Sequence, residues 1–382
     1  MDFNFTEEQE ILRKTISRLL KEQIIPLIPE VERTNRFPEK AFDFIKRYGF
    51  TSVLVPEEYG GIGGNITTLC VVWQEVGKVC AALEGIYGGA NACVELIREA
   101  GSPQIKEEYL TKVAKEGYLG SICLTEPDAG SDAASIRTRA VMDGDYYILN
   151  GTKCFISGGG DADFYCIFAV TDPQKKTEGI SLFVVDKGTE GLSVGKIEDP
   201  MGMRGTEPAE LILEDVKVPK DKLVGSEEEA FYLVMKVFNA TRCAVAALSV
   251  GIAKGAIEHA LKYAQERITF GKPIYQHQAI QFMIADMAMQ AEAAEALVFK
   301  AASFCDSKDG RAAEAAKLAS MAKCFASDTA MSVTTDAVQI FGGYGYMKDY
   351  PIERYMRDAK LMQIFDGTNQ IHRMVIARNL IV

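Results

Sequence analysis

The sequence predicts an α+β fold in which two helical blocks enclose a small antiparallel β domain. Three observations predict it. Apolar residues recur at helical spacing up to about residue 116, β-branched and aromatic residues alternate in short runs through residues 118–225, and long helical patterns return from about residue 226. A chain of 382 residues suits two or three packed units of the usual ~100–200 residues each. We therefore expect domains at residues 1–117, 118–225 and 226–382.

The composition argues against several classes of function. The net charge is -11 and no Lys/Arg-rich run occurs, so neither a nucleic acid nor a membrane surface is expected as a partner. The nine cysteines are odd in number and lack a C-x-x-C pair, and the three histidines lack an H-E-x-x-H motif, which argues against disulfides and against a metal. The acidic N-terminus has no apolar h-region, and we expect a cytoplasmic protein.

The N-terminal block begins with a helix signal. Thr6 can cap the helix, and Gln9 three residues later completes a capping box. The apolar positions that follow at helical spacing are Ile11, Ile16, Leu19 and Leu20. The later glycine-rich stretch at 56–65 is not G-x-G-x-x-G and follows no strand, so it is interpreted as a connector between helices, with a ligand-contacting loop as the alternative.

The middle block shows strand patterns separated by turn signals. Asp143-Gly144-Asp145 and Asn150-Gly151 are the clearest of these signals. The strand-like runs are YYILNGTKCFIS, ADFYCIFAV, ISLFVVD and AELILEDVKVP. No ten-residue helical pattern separates the runs, so a parallel dinucleotide-binding sheet is disfavoured.

The C-terminal block returns to helices. Small residues dominate 315–330, which permits close helix approach. One helix face, typical of a buried stripe in a bundle, carries Ile280, Met283, Ile284, Met287, Ala291, Ala294, Leu297 and Ala301. A site is expected in the crevice where the sheet meets the two helical blocks.

Three segments carry candidate ligand contacts. In CLTEPDAGSDAAS, 123–135, a strand-like run ends in small residues whose backbone N–H groups can approach a flat or anionic ligand, although a simple polar turn explains the segment as well. In ERITFGKPIYQHQ, 266–278, Arg267 could pair with phosphate, while Phe270 offers an aromatic face. In QIFGGYGYMKDY, 339–350, glycines end a helix, and a glycine-rich helix terminus alone accounts for them equally well.

Taken in order along the chain, these segments resemble the acyl-CoA dehydrogenase family, flavoproteins that oxidise acyl-CoA thioesters. The resemblance covers essentially the whole chain. The segments that carry it are FTEEQ, PEEYGG, LTEPDAGSD, NGTKCFISGG, ILEDVKVPKDKLVG, ERITFGKPI, QIFGGYGYMKDYPIERYMRD and IFDGTNQIHR. Several of them are long, specific and widely spaced, which is more than chance agreement provides.

The resemblance implies a helical N-terminal domain, a middle β domain and a C-terminal four-helix bundle, assembled as a homotetramer around FAD. By resemblance, the residues that hold the flavin ring and its ribityl chain are Ile122, Leu124, Thr125, Gly130, Ser131, Phe155 and Ser157. Those that reach FAD across a subunit interface are Arg267, Thr269, Phe270, Gln278, Gln339 and Gly343. Thr368 and Gln370 match the turn that closes over the cofactor.

Asp366 stands where most of the family has its catalytic base, normally a glutamate. A carboxylate is needed there because the α C–H of a thioester is a very weak acid, and the base takes this proton as hydride leaves the β-carbon for flavin N5. By resemblance, the Asp366 backbone N–H and a ribityl hydroxyl hold the thioester carbonyl as an oxyanion hole. The apolar neighbours Ile364 and Phe365 are expected to desolvate the acid and raise its pKa.

Aspartate is shorter than glutamate by one methylene, and a misplacement on the order of 1 Å can cost ~10²-fold in rate. Three explanations compete: a bulkier or cyclic acyl group that brings its proton nearer, a slower enzyme, or abstraction from a different carbon. Other branches of the family draw the base from the position of Thr241, which cannot serve as one.

The substrate contacts follow from the same resemblance. Arg242 matches a residue near the CoA moiety, whereas Asn239 differs from the acid often found there. The helix at about 83–97 contains no Lys or Arg, so a dicarboxylyl-CoA lacks a charge partner. Candidates that shape the acyl pocket, or merely ease helix packing, are Tyr87, Gly88, Gly89, Asn91 and Glu95. The further predicted substrate contacts are Ser131, Phe238, Thr241, Phe365 and Gly367.

The leading hypothesis is an FAD-dependent acyl-CoA dehydrogenase that acts on a thioester with a medium, branched or alicyclic acyl chain and passes electrons to an electron-transfer flavoprotein. The alternatives are an enoyl-CoA reductase that runs the same reaction in reverse, an enzyme like nitroalkane oxidase, which also has an aspartate at the matching position, and a non-catalytic FAD- or CoA-binding protein. The retained Arg242 favours the acyl-CoA hypotheses.

Overall fold

The computed structural model describes residues 5–227, 229–307 and 312–381. Its first helix, α1 (Glu7–Gln23), begins with the predicted capping box: the Thr6 hydroxyl accepts the Gln9 N–H at 3.2 Å, and the Gln9 side chain accepts the Thr6 N–H at 3.1 Å. Ile16 and Leu20 are buried as predicted, whereas Ile11 is 59% exposed. Five residues of helix turn through about 500°, so Ile11 and Ile16 point to different sides.

Further helices complete the N-terminal block. They are α2 (Ile28–Thr34), α3 (Glu39–Arg47), α4 (Ile66–Val79), α5 (Glu84–Ala100), α6 (Pro103–Ile105) and α7 (Thr111–Glu116), with a π-helical turn at Lys106–Leu110 between the last two. The glycine-rich stretch before α4 folds back on the preceding backbone, because the N–H groups of Gly63 and Gly64 donate to the carbonyls of Val55 and Val53 at 2.8 Å each. Its glycines therefore serve close backbone packing within a connector.

Within the described residues, eight strands form the main sheet of the middle block. They are β1 (Gly120–Cys123), β2 (Arg139–Asp143), β3 (Tyr146–Ile156), β4 (Phe164–Val170), β5 (Ile180–Asp186), β6 (Leu192–Ile197), β7 (Ala209–Pro219) and β8 (Leu223–Val224). The order is β6-β7-β3-β2-β4-β5-β8, with β1 paired to β4. Most pairings are antiparallel, as predicted, but β1 runs parallel to β4 and β2 touches β4 in parallel at one position. The β2–β3 hairpin between β1 and β4 supplies the long connection that a parallel pair requires.

The two turn signals of the middle block have different outcomes. Asp143 pairs with Tyr146, so the chain turns at 144–145 as predicted. The prediction of a turn at Asn150-Gly151 is wrong, because both residues lie inside β3, where the register against β7 shifts. A Cβ on Gly151 would overlap Thr138, so this glycine permits a close strand approach and marks a bulge.

The C-terminal block is a helical bundle built around one long helix. Its elements are α8 (Ala230–Glu266), a small hairpin of β9 (Ile268–Thr269) and β10 (Lys272–Pro273), α9 (Gln278–Asp306), α10 (Ala312–Phe341), α11 (Ile352–Met362) and α12 (Asn369–Ile381). Helix α8 packs against α4, α9, α10 and α11. Its length and composition alone would let it cross a membrane, but 72% of its most apolar 18-residue segment is buried inside the molecule.

The predicted stripe on α9 faces this bundle. Met287, Ala291, Ala294 and Ala301 are buried, and the other predicted positions of the stripe are half-buried. Helix α10, which carries the small-residue segment, packs against α8, α9, α11 and α12. The turn between α11 and α12 therefore rests on α10, and α5 approaches the bundle through α8 and the sheet through β1.

Candidate active site

Asp366 lies in the turn that joins α11 to α12, and the turn has an unusual backbone. Asp366 has φ 51° and Gly367 has φ 92°, the left-handed region that costs a non-glycine residue free energy. The turn is closed by the Asn369 N–H, which donates to the Gln363 carbonyl at 3.1 Å. A strained residue held by such bonds is typical of a functional position.

A buried lysine supports this turn from α10. Lys323 has no exposed surface, and its ammonium donates to the Gly367 carbonyl at 2.8 Å and to Asn369 Oδ1 at 3.2 Å. The Asn369 amide donates in turn to Asp328 Oδ1 at 2.8 Å and to Ser327 Oγ at 2.9 Å. Lys323 was not predicted as a site residue from the sequence; the available signal was a lysine in the middle of the small-residue segment.

Charge and burial have opposite effects on the pKa of the Asp366 carboxyl group. Burial raises its pKa above the ordinary value, while the Thr241 hydroxyl and the charges of Lys323 and Arg242 act in the opposite direction. Arg242 is 7% exposed and donates to Asn239 Oδ1 at 3.0 Å. The polar residue that differs from the family pattern therefore orients the arginine beside Asp366.

The Asp366 amide N–H is available to a ligand. Within the described residues it donates to no backbone or side-chain acceptor. It adjoins the carboxylate on the same residue, so a bound carbonyl could meet the donor while an adjacent carbon meets the base. This pairing of a free donor with a desolvated carboxylate is the arrangement that acyl chemistry through an enolate-like state requires.

His372 of α12 lies beneath the turn but does not supply a base. It is fully buried, and neither ring nitrogen forms a hydrogen bond of good geometry within the described residues, although the backbone of Asp366 and Gly367 lies close enough to favour its protonated form. Burial, together with the positive charges of Arg242 and Lys323, lowers the pKa of His372 to about 3. The imidazole is therefore neutral at physiological pH, and it packs against Gly367, where an added Cβ would lie 3.2 Å from Nε2.

A second carboxyl group, on α5, interacts electrostatically with Asp366. It belongs to Glu84, whose pKa burial raises to about 8, with a further contribution from the Asp366 charge. The residues predicted from the sequence lie later in this helix. Among those, Tyr87 is buried between Phe50 and Trp73, with ring centroids 5.4 and 6.0 Å away.

Two other predicted substrate contacts on helices also have protein partners. The Asn91 amide donates to the carbonyls of Phe50 and Tyr87 at 3.1 and 3.2 Å. Phe238 accepts the Thr241 hydroxyl through its carbonyl at 3.3 Å, and its ring lies 6.0 Å from the Arg242 guanidinium. The α8 residues thus gather beside Asp366, while Asn91 is occupied within the core.

The predicted flavin segment of the middle block is fixed by a buried ion pair. Lys153 of β3 contacts Glu126 Oε1 at 2.7 Å, and Glu126 also accepts the N–H groups of Arg137 and Thr138 at 2.6 and 3.0 Å. The Thr125 carbonyl accepts the Cys154 N–H at 3.0 Å, which ties the segment to β3. Lys153 was not predicted as a site residue from the sequence.

This rigid segment presents a surface that fits the flavin. Phe155 is 65% exposed at φ 56°, and Gly130, Ser131 and Ser157 are exposed beside it. Ile122 and Thr125 are half-buried and Leu124 is buried, so the segment combines apolar side chains with free polar groups. An exposed aromatic ring on a fixed loop suits a flat ring system.

Three of the remaining predicted FAD contacts, Arg267, Thr269 and Gly343, line a separate pocket. It has a volume of about 420 Å³ and is lined by Tyr263, Arg267, Thr269, Ile274, Ile340, Phe341, Gly342, Gly343, Tyr344 and Met347. The Arg267 guanidinium lies 5.6 Å from the Tyr344 ring, and a Cβ on Gly343 would meet nothing within 4 Å. Phe270 is 96% exposed. An arginine, aromatic rings and open backbone suit a phosphate-bearing nucleotide, but the middle-block residues do not line this pocket.

The other predicted contacts lie on exposed or half-buried surface. Gln278 at the start of α9, Gln339 near the end of α10 and Gln370 in α12 are exposed. Thr368 is half-buried, and its hydroxyl accepts the Ile371 N–H at 3.3 Å at the start of α12.

Comparison with known proteins accounts for the whole chain. Three family models match in sequence: acyl-CoA dehydrogenase, N-terminal domain, at residues 6–117; middle domain at 121–216; and C-terminal domain at 229–381. The cyclohex-1-ene-1-carbonyl-CoA dehydrogenase of Syntrophus aciditrophicus is 47% identical over 98% of this chain and 90% of its own. The acryloyl-CoA reductase (NADH) of Anaerotignum propionicum is 45% identical over 100% of this chain and 96% of its own.

Solved structures agree. The butyryl-CoA dehydrogenase of Megasphaera elsdenii superposes with a TM-score of 0.96 at 38% identity, and it covers 100% of both chains. A chain from a structure concerning the electron transferring flavoprotein of Acidaminococcus fermentans gives a TM-score of 0.95 at 44% identity, again over 100% of both. The chain belongs to the acyl-CoA dehydrogenase family and is an FAD-dependent oxidoreductase.

Proposed function

We propose that this protein dehydrogenates a branched or alicyclic acyl-CoA thioester, with Asp366 as the base that removes the α-proton. The observation that carries the proposal is the Asp366 turn, in which a desolvated carboxylate adjoins an amide N–H that is free within the described residues. When bound, FAD supplies the hydride acceptor that yields the 2-enoyl-CoA. The protein supplies the base and the orientation of the thioester.

The base works because its environment raises its proton affinity while keeping it ionised. Burial makes the carboxylate more basic, and the positive charges of Arg242 and Lys323 favour its ionised form. The α-proton becomes acidic only when negative charge on the carbonyl oxygen is stabilised. The Asp366 N–H is placed to donate to that oxygen.

The proposed substrate class follows from reach and charge. A base one methylene shorter than glutamate favours an acyl group that brings its α C–H closer to the backbone, as a ring or branch at that carbon does. A relative at 47% identity is named for a cyclic substrate. A free carboxylate on the acyl chain would meet the acids of Asp366 and Glu84, and on α5 the nearest arginine, Arg98, is already paired with Glu95 at 2.8 Å.

FAD is proposed to contact two surfaces from different subunits of a homotetramer. The middle-block segment around Thr125 and Phe155 holds the flavin, and the pocket around Arg267 and Gly343 holds another part of the cofactor bound to a neighbouring chain. Phe270, nearly fully exposed in the single chain, is proposed to be covered in that assembly. Electrons are proposed to leave to an electron-transfer flavoprotein, and a cytoplasmic location stays a prediction.

A second candidate is the reverse reaction, the reduction of an enoyl-CoA. One specific observation favours it: a relative at 45% identity over the full chain is named as an acryloyl-CoA reductase. In this direction Asp366 is protonated at the start and delivers its proton to the α-carbon. The same residues serve both directions.

Anaerobic flavin bleaching tests the proposal. The purified protein should be yellow and should bleach on addition of isobutyryl-CoA or cyclohexanecarbonyl-CoA, more rapidly than with butyryl-CoA. Crotonyl-CoA added to the dithionite-reduced protein tests the reverse direction. A yellow protein that no straight, branched or cyclic thioester bleaches would contradict the proposed function, and a preference for butyryl-CoA would contradict the proposed substrate class.

A further inference from the structure

Glu84 is a buried acid without a protein partner. It is the first residue of α5 and is 9% exposed. Within the described residues its carboxyl group forms no hydrogen bond and no salt bridge, unlike Glu95 on the same helix, which pairs with Arg98 at 2.8 Å. An acid buried in this way favours its protonated form.

The helix leaves room for this carboxyl group. A Cβ on Gly88, one turn further along α5, would overlap Oε1 of Glu84. The side chain therefore folds back over Gly88. A larger residue at position 88 would displace the acid, so the glycine and the glutamate act as a pair.

The surroundings of Glu84 and Asp366 differ in charge. Glu84 faces Asp366 from the α11–α12 turn and Tyr87 on its own helix. Asp366 also faces Arg242 of α8 and Lys323 of α10, which stabilise its anion. Two neighbouring carboxyl groups cannot both ionise readily, and the cations decide that Asp366 ionises first.

We propose that Glu84 is a positioning residue that stays protonated beside the ionised Asp366 and thereby sets the upper pH limit of the reaction. As a neutral acid it leaves a single negative charge in the site, so that negative charge can develop on the thioester carbonyl. Ionised Glu84 would add a second negative charge beside this carbonyl and oppose the enolate-like state. The inference rests on the proposed role of Asp366.

The pH dependence of flavin reduction tests the proposal. Glu84→Gln preserves the shape and neutrality of the protonated acid, so its reduction rate should fall less steeply than the wild-type rate between pH 7.5 and 9.5. The fall that remains is assigned to Lys323, whose pKa burial lowers to about 8. The wild-type rate should fall about tenfold per pH unit above pH 8, since burial raises the pKa of Glu84 to about 8. Glu99→Gln, which removes an acid of the same helix that pairs with Lys236, should keep the wild-type profile.

Two results would overturn the proposal. An unchanged alkaline fall in Glu84→Gln would show that another group causes it. Loss of reduction in Glu84→Gln at every pH would make Glu84 the base itself. A wild-type protein that no thioester reduces would instead overturn the proposed function.

A second measurement tests the protonation of Glu84 without requiring catalytic turnover. The folded protein keeps the Glu84 proton up to about pH 8, whereas the unfolded chain releases it near the ordinary value of 4.5. The wild-type protein therefore loses stability relative to Glu84→Gln as the pH rises from about 4.5 to about 8. The difference in Tm between the FAD-loaded variant and wild type should grow from pH 4.5 to 8 and then level off. A constant difference would contradict the raised proton affinity.

Discussion

At the residue scale, the position of Asp366 depends on Lys323. The buried ammonium holds the Gly367 carbonyl at 2.8 Å, directly after a residue in the left-handed region. Without this bond, the turn can relax toward an ordinary backbone conformation. The carboxylate would then move relative to the substrate although its chemistry is intact.

Lys323→Met should therefore lower the free energy of unfolding by ~1–3 kcal/mol, the usual cost of a lost hydrogen bond to a buried group. It should also slow flavin reduction by ~10²-fold, because a shift of about 1 Å in a catalytic group has that effect. Urea unfolding and rapid mixing measure the two effects. Lys317→Met removes a lysine of the same helix that pairs with Glu314 at 2.6 Å, and it should cost at most ~1 kcal/mol. Equal effects of the two substitutions would contradict the role of Lys323.

Sequence alone could predict some of these residues and not others. Asp366 stands out because its neighbours belong to a long motif. Glu84 and Lys323 do not, because each acquires its role only when α5, α10 and the α11–α12 turn meet, across separations that no local pattern encodes. The buried pair of Lys153 and Glu126 is hidden for the same reason.

At the scale of elements, two glycines set the distance between α4 and α8. A Cβ on Gly251 of α8 would overlap the Gln74 carbonyl and lie 2.9 Å from the Gly77 Cα of α4. The two helices therefore touch backbone to backbone. This contact anchors the N-terminal block to the bundle that supports the active site.

Gly251→Ala should destabilise the protein by ~1–3 kcal/mol through overpacking, although alanine is the better helix former by roughly 0.5–1 kcal/mol. Chemical denaturation measures the change. Gly160→Ala is the control, since a Cβ there would meet nothing within 4 Å. Stabilisation by Gly251→Ala would mean that the helices separate freely and that the close contact is not required.

Local sequence signals determined which elements were predictable. The Thr6 capping box and the α9 stripe are read directly from residue spacing, and both are present. The Asn150-Gly151 pair predicted a turn wrongly, because a glycine inside a strand and a glycine in a turn give the same local signal. The parallel β1–β4 pairing depends on partners 44 residues apart, such as Gly120 and Phe164. No local turn motif predicts such a pairing.

At the scale of the whole molecule, the proposed FAD site requires residues from more than one chain around each cofactor. The Arg267 pocket and the Phe155 surface have no lining residue in common. A dissociated chain would hold FAD by one surface only. Cofactor retention and assembly should therefore fail together.

Sedimentation should give a mass about four times the 41.9 kDa of one chain. Phe270→Asn keeps a residue type that tolerates the left-handed backbone at φ 50°, and it should lower the FAD content per chain together with the tetramer fraction. Val141→Asn, which changes a 61% exposed side chain on β2, should leave both unchanged. A monomer that retains full FAD would contradict the shared site.

Asp366 is proposed to take the α-proton of an acyl-CoA. Rapid anaerobic mixing of FAD-loaded Asp366→Asn with a thioester that reduces the wild type tests it most directly. We predict retained FAD and thioester binding with flavin reduction slowed by at least ~10³-fold, as expected for the loss of a general base worth ~10²–10⁴. Reduction of the Asp366→Asn flavin at a rate near that of the wild type would contradict the account.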